Sequence, residues 1–377
     1  MTMQTNRSST NAIATDMDRS SIDSVALATR IKQWGETLGF SQIGITQTDV
    51  TEAARKLRQW LEAGHHGAMN YMTKHSDLRA KPSELLPGTV SIISARMPYL
   101  PTAKSSEEVL ANREAAYVSR YALGRDYHKT IRARLQKLVE YIRADLATTQ
   151  PDRNFVYRVF SDSAPVLEVE LARQAGIAWR GKHTLSLSRT GSWHFLGEIY
   201  TSLPLPPDRP DKNRCGTCTR CIDCCPTSAI VAPYKVDARL CISYLTIELQ
   251  GPIPVPLRPL IGNRIYGCDD CQLCCPWNRF AKPGDQDFAV RNSLDSYNLV
   301  DLFAWSKEEF ENRLQGSPIR RIGHERWLRN IAVGLGNSAP TTATLTALKS
   351  RIDHSSALVR EHVTWALSQT LRNQRPT

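Results

Sequence analysis

The chain has 377 residues, 41% of them hydrophobic, and a formal charge of +11. That length predicts two or three hydrophobic cores rather than one, and the excess of Lys and Arg makes a polyanion such as nucleic acid a candidate partner without bearing on the fold. No run approaches the ~20 apolar residues of a membrane helix, and the polar segment 1–21 lacks the apolar centre of a signal peptide, so a cytoplasmic protein with a disordered first tail is expected.

Val25, Ala28, Ile31, Trp34 and Leu38 recur at helical spacing, Gly39 stops that helix, and Phe40 to Ile45 reads as a strand. Val90 to Ala95 is a second strand, followed by a polar surface excursion from Thr102 to Arg113. Ile131, Leu135, Leu138, Ile142 and Leu146 line one face of a long helix whose Arg and Lys residues face solvent. Phe155, Tyr157 and Val159 alternate as a half-buried strand that delivers Ser161, Asp162 and Ser163 at its end, with Pro165 opening the next helix. The end of a strand is where α/β sheets commonly place chemistry. From Ala178 to Leu205 short strands alternate with glycines, and Pro204, Pro206, Pro207 and Pro210 mark a linker, which puts a domain boundary near residue 208. A cysteine module follows over 209–282, and beyond Ser306 the chain reads as nearly all helix. There Leu328, Ile331, Ala332 and Leu335 form one apolar stripe, and Val359, Val363, Ala366 and Leu367 another. Two such units fit either a short stacked-helix repeat or a plain helical cap.

All ten cysteines lie between Cys215 and Cys275, a distribution unlike that of a small disulfide-stapled domain. Cys215, Cys218, Cys221 and Cys225-Pro226 have the spacing C-x2-C-x2-C-x3-C-P, in which three thiolates wrap one four-iron cluster and the fourth reaches a neighbouring cluster. Cys268, Cys271 and Cys275-Pro276 repeat the ending without one member, which Cys241 can supply. The resulting sets are Cys215, Cys218, Cys221 and Cys275 for one cluster, and Cys225, Cys241, Cys268 and Cys271 for the other. Cys224 and Cys274 fall outside the pattern and read as small buried residues. Zinc is the competing ligand, but two zinc sites show separated pairs without Cys-Pro endings.

Several longer strings stand out: Arg239-Leu240-Cys241-Ile242-Ser243-Tyr244, Asn263-Arg264-Ile265-Tyr266-Gly267-Cys268-Asp269-Asp270-Cys271, Gly124-Arg125-Asp126-Tyr127-His128, Asp162-Ser163-Ala164-Pro165, Gly181-Lys182-His183-Thr184 and Ile319-Arg320-Arg321-Ile322-Gly323-His324. In these the chain resembles the epoxyqueuosine reductases from about residue 25 to 370. The resemblance implies cobalamin-dependent removal of the epoxide oxygen from epoxyqueuosine at the tRNA wobble position, the last step of queuosine synthesis. It further implies an α+β multidomain fold: residues 22–208 an α/β cobalamin-binding domain akin to reductive dehalogenases, 209–282 a ferredoxin-like module with two 4Fe-4S clusters, and 283–377 an all-α domain of HEAT-like repeats binding tRNA. A monomer fed by a low-potential donor such as flavodoxin or ferredoxin is expected. Cobalamin enters through resemblance alone, and the D-x-H-x-x-G signature of a histidine lower ligand fails because Ile131 stands where glycine is required.

Expelling an epoxide oxygen requires electrons and a proton. Asp162, held neutral by burial, matches the family's proton donor; an N-cap role is its alternative, and Asp126 is the rival acid unless an arginine pairs with it. By resemblance Arg79, Ser119, Asp162, Lys182, His183, Thr184, Ser243, Asp269 and Asp270 line the cobalamin pocket, although Arg79 also reads as a surface charge and Ser243 as a buried hydroxyl. Arg320, Arg321, His324, Arg326 and Arg329 form a basic patch suited to RNA phosphates, or else a solvated helix face. Two other functional classes fit the cysteines: a plain electron carrier, against which the large preceding domain counts, and a small-molecule dehalogenase, against which the Arg-rich helices count.

Overall fold

The computed structural model describes residues 23–373; the expected disordered tail lies outside them. The strands are β1 (Gln42–Thr46), β2 (Ser91–Pro98), β3 (Tyr117–Val118), β4 (Tyr157–Phe160), β5 (Trp179–Arg180), β6 (Ser186–Leu187), β7 (His194–Thr201) and β8 (Arg264–Tyr266). The main sheet has the order β1-β2-β7-β4 and every pairing in it is antiparallel. The rule that places sites at the carboxyl edge of parallel sheets therefore does not apply, although the acidic strand end at Asp162 does prove to carry a polar cluster.

Period-two alternation explains why both faces of this sheet are covered. On β2, Ile93, Ala95 and Met97 pack with Ile31 of the helix Ser24–Thr37 and with Ile131, Leu135, Leu138 and Ile142 of the helix Tyr127–Thr149. Ile92 points the other way, onto Val50, Phe160, Tyr200 and Leu171 of the helix Glu168–Gln174. Each such aliphatic burial stabilises the layers by ~1.5–3 kcal/mol. Two local expectations are corrected. The segment 102–113 contains the helix Ser106–Ala111, capped by Ser105 and burying Val109. The helix after β4 starts at Glu168, not at Pro165, because Asp162 adopts φ +56° and its N–H donates to Glu168 Oε1 at 2.5 Å.

β3 pairs in parallel with β8, which joins the first half of the chain to the cysteine-bearing segment. One core then unites Val118, Ala122 and Leu123 with Ile265 and with Leu328, Ile331 and Leu335 of the helix Gly323–Asn337. That helix lies against Ala357–Asn373, so close that a Cβ added to Gly336 would sit 3.0 Å from Ala366 Cα. Both apolar stripes read from the sequence are inside this core, Leu367 at its margin. Among the described residues no helix is long and apolar enough to cross a membrane.

Candidate functional site

Two short helical turns, Arg220–Asp223 and Asp270–Leu273, carry the two cysteine motifs. Eight cysteines are free thiols: Cys215, Cys218, Cys221, Cys225, Cys241, Cys268, Cys271 and Cys275. Cys215, Cys218, Cys221 and Cys275 line one cavity of ≈ 90 Å³. Burial, then the nearby Cys275, Cys215 and Cys218 sulfurs, push the Cys221 thiol up to about 11. Burial also pushes up Cys271 and Cys268, followed by Cys241, Asp269, Cys225 and Cys221 for Cys271 and by Asp270 and then Cys271 for Cys268. Cys215, Cys218, Cys221 and Cys275 are thus gathered at one cavity, while Cys271 lies within electrostatic reach of Cys241, Cys225 and Cys221. Among the described residues no three His, Cys, Asp or Glu side chains converge on a point suited to one metal ion, as a zinc site would require. Grouped thiolates around a larger space fit a cluster, whose positive irons would offset their mutual repulsion. Cys224 and Cys274 are not buried spectators: both are half-exposed and form a disulfide across the two motifs, with Cα atoms 6.8 Å apart.

Lys182 and His183 sit against the first set. Lys182 Nζ donates to the carbonyls of Gly216 at 2.8 Å and Cys218 at 2.9 Å, so it closes the loop bearing the first thiols. Burial lowers the His183 pKa to about 4, which keeps the ring neutral.

The acids form a second centre at the end of β4. Asp162 Oδ2 accepts from Tyr127 OH at 2.6 Å and lies 2.9 Å from His128 Nε2, while His128 Nδ1 lies 2.6 Å from Asp126 Oδ1. Arg321 Nη2 donates to Asp126 Oδ2 at 3.1 Å, so the arginine pairing with Asp126 comes from the distant C-terminal segment. The Asp162 side chain keeps 53% of its surface open. Desolvation by the surrounding protein works against its ionisation, but hydrogen bonds from His128 and Tyr127, with the His128 and Arg321 charges, hold its carboxyl below the ordinary value. Asp162 is therefore ionised, which corrects the expectation of an acid kept neutral by burial; neither does it cap the following helix. Desolvation likewise opposes the charge on Asp126, yet His128 and Arg321 bring it down to about 2. His128 titrates above its ordinary value, because the carboxylates of Asp126 and Asp162 outweigh its burial. The acid that burial does hold neutral is Glu168, raised to about 8 by desolvation and by the Asp162 charge. Behind it Glu198 is fully buried and its pKa is pushed well above the ordinary value, by burial and then by Glu168. Tyr127 and His128 were visible only as letters in a string quoted above; that they and Glu168 surround Asp162 is a tertiary fact.

The remaining candidates divide by what they touch. Arg79 is buried and donates to the Tyr71 and Met72 carbonyls, which excludes the surface-charge reading. Ser119 and Tyr117 donate to buried Asp269, and Asp270 pairs with Arg264. These groups are engaged within the protein, whereas the hydroxyls of Thr184 and Ser243 have no protein partner among the described residues, and neither residue is buried. The basic patch is corrected. Arg329 is fully buried, donating to the carbonyls of Leu245, Leu249 and Gly251. Arg326 bonds the Ile322 and Ile247 carbonyls and His324 the Trp305 carbonyl. The helix Ile242–Ile247 leaves its last carbonyls without partners, and Arg326, Arg329 and Asn330 supply donors to them. Arg320, ion-paired with Glu311, and Arg321 alone remain exposed.

This geometry can be set beside known proteins. A family model described as epoxyqueuosine reductase QueG, DUF1730, matches residues 79–163. A second, the 4Fe-4S double cluster binding domain, matches 214–278. The epoxyqueuosine reductase of Pseudomonas aeruginosa is 57% identical over 348 residues, covering 92% of this chain and 95% of its own length. The chain belongs to the epoxyqueuosine reductase family. The Escherichia coli member is 53% identical over 355 residues, covering 94% of this chain and 92% of its own. Among solved structures, an epoxyqueuosine reductase with a tRNA-Tyr epoxyqueuosine-modified stem loop superposes with a TM-score of 0.83 at 26% identity, covering 92% of this chain and 91% of that one. The Streptococcus thermophilus epoxyqueuosine reductase gives 0.78 at 26% identity, over 93% and 91%. The family's double-cluster domain spans all ten cysteines of this chain.

Proposed function

We propose that this chain reduces epoxyqueuosine to queuosine at the wobble position of tRNA anticodons, with Asp162 as the group that hands a proton to the departing oxygen. The observation that carries the reading is the wiring of an exposed Asp162 to Tyr127, His128, Asp126 and Arg321 in a chain with family-level identity to epoxyqueuosine reductases. Because Asp162 is ionised and His128 titrates high, the proton rests on His128 near neutral pH and passes through Asp162 to substrate. Asp126 and Arg321 fix the imidazole between the two carboxylates. Glu168 holds the Asp162 backbone and, being neutral near pH 7, spares it a second adjacent charge.

Cobalamin bound beside Asp162 would supply the strongly reducing metal, with electrons arriving through the two 4Fe-4S clusters. Thr184, Ser243 and the open side of Asp162 offer polar atoms to it; Arg79, Ser119, Asp269 and Asp270 act by holding the surrounding loops in place, and Lys182 and His183 belong with the first cluster. Arg320 and Arg321 contact the RNA backbone at the mouth of this centre. The division into 22–208, 209–282 and 283–377, a HEAT-like packing of the last helices, a monomer, a cytoplasmic setting and a flavodoxin- or ferredoxin-type donor complete the reading. Replacement of Asp162 by Asn tests it: the protein should retain its iron and its affinity for the modified stem loop while turnover collapses, and unimpaired turnover would remove the donor role.

A further inference from the structure

His183 is 3% exposed, yet one of its ring nitrogens has no partner. Its Nδ1 accepts from the Leu185 N–H at 3.1 Å, so the single proton of the neutral ring resides on Nε2. That Nε2–H finds no acceptor among the described residues. An orphaned buried donor costs ~1–3 kcal/mol, which makes it an exception that calls for an acceptor outside the polypeptide. The ring lines the same cavity as Cys215, Cys218, Cys221 and Cys275. Its seat is fixed from behind, since a Cβ added to Gly181 would lie 2.4 Å from His183 Cε1. It is fixed from the side as well, where Lys182 ties the same loop to the carbonyls of Gly216 and Cys218.

We propose that His183 Nε2–H donates a hydrogen bond to a sulfur of the cluster held by Cys215, Cys218, Cys221 and Cys275, and thereby raises that cluster's reduction potential relative to its neighbour. The inference rests on the cluster assignment made above. A hydrogen bond to sulfur stabilises the additional negative charge of the reduced state, one of the means by which a protein sets a cluster potential. His183 is a positioning and tuning residue; it holds no iron and touches no substrate. It adds a donor to the shell of this cluster, separate from the one the other cluster's shell has where the Ala229 N–H donates to Cys225 Sγ at 3.3 Å.

The test is an EPR-monitored redox titration of anaerobically purified full-length protein and its His183→Leu variant, each first assayed for iron. Wild-type protein should contain about eight irons per chain; a wild-type chain lacking them would remove the cluster assignment and this inference together. With iron intact, His183→Leu should lower the midpoint of one cluster and leave the other in place, and His183→Gln, which keeps a donor, should recover part of the shift. Unchanged midpoints with full iron would overturn the hydrogen bond while leaving the cluster assignment standing. If the Leu variant cannot retain the cluster, the native protein decides: electron–nuclear double resonance on chain labelled with 15N-histidine should show one imidazole nitrogen and its exchangeable proton coupled to a reduced cluster. Absence of that coupling would overturn the proposal.

Discussion

Replacing Arg329 by alanine would remove the donor to three backbone carbonyls at once: Leu245 at 2.7 Å, Leu249 at 2.6 Å and Gly251 at 2.8 Å. Among the described residues the guanidinium has no carboxylate partner, and burial lowers its pKa only to about 9, so it is a cation held at neutral pH by carbonyl dipoles. Each carbonyl left without a donor in a buried setting costs ~1–3 kcal/mol, and water entering the vacated space recovers part of this, so a net loss of ~3–5 kcal/mol is expected. That is well beyond the ~1 kcal/mol of a typical substitution. The damage should also reach function, because the helix Ile242–Ile247 that these bonds terminate begins directly after Cys241, the proposed cluster ligand. Urea unfolding of the wild type and Arg329→Ala, read by circular dichroism, measures the first effect, and visible absorbance of the reconstituted clusters the second. A variant of unchanged stability that instead bound modified RNA more weakly would refute the inward role and restore Arg329 to the RNA surface.

Glu168→Gln should raise the melting temperature more at pH 9 than at pH 5. Glu168 has its folded pKa raised above the ordinary 4.5 to about 8, so its contribution is fully present below pH 4.5 and is lost as pH climbs to 8; an equal gain at both pH values would contradict this. His128→Asn should leave iron content intact but flatten the alkaline limb of the rate profile, because it removes the group that holds the proton; a limb of unchanged shape would show that the proton comes from elsewhere. Arg320→Glu should weaken stem-loop binding and make it less salt-dependent, measured by fluorescence anisotropy, whereas undiminished binding at low salt would remove it from the interface. Denatured protein stripped of iron without reductant should expose eight alkylatable thiols by mass spectrometry, the Cys224–Cys274 pair being protected; ten would show the pair reduced.

What the sequence disclosed, and what it hid, follows from the range of the interactions involved. The cluster motifs were legible because most of their cysteines are spaced within single turns, and the local Cys-Pro endings are what suggest the exchange of Cys275 for Cys225. The long helix Tyr127–Thr149 was legible from its apolar stripe, which is a local period. Strand direction was not, since the antiparallel partners β2 and β7 are separated by nearly a hundred residues and alternation is the same in either orientation. The charge state of Asp162 was misread because it depends on His128 and on Arg321, the latter donated from the other end of the chain. Arg326 and Arg329 look like an RNA-facing patch by composition, yet carbonyls near residue 247 draw them inward. Cys224 and Cys274, fifty positions apart, could be paired only once the two motif helices were seen to meet.

The central claim, a reductase acting through the Asp162 centre, is tested most directly by incubating the protein with epoxyqueuosine-containing tRNA, cobalamin and a low-potential reductant, then digesting the RNA and weighing the wobble nucleoside. The wild type should yield a nucleoside lighter by one oxygen atom, queuosine, and the Asp162→Asn chain should return the epoxide. Persistence of the epoxide with iron-replete, cobalamin-supplied wild-type protein would contradict it.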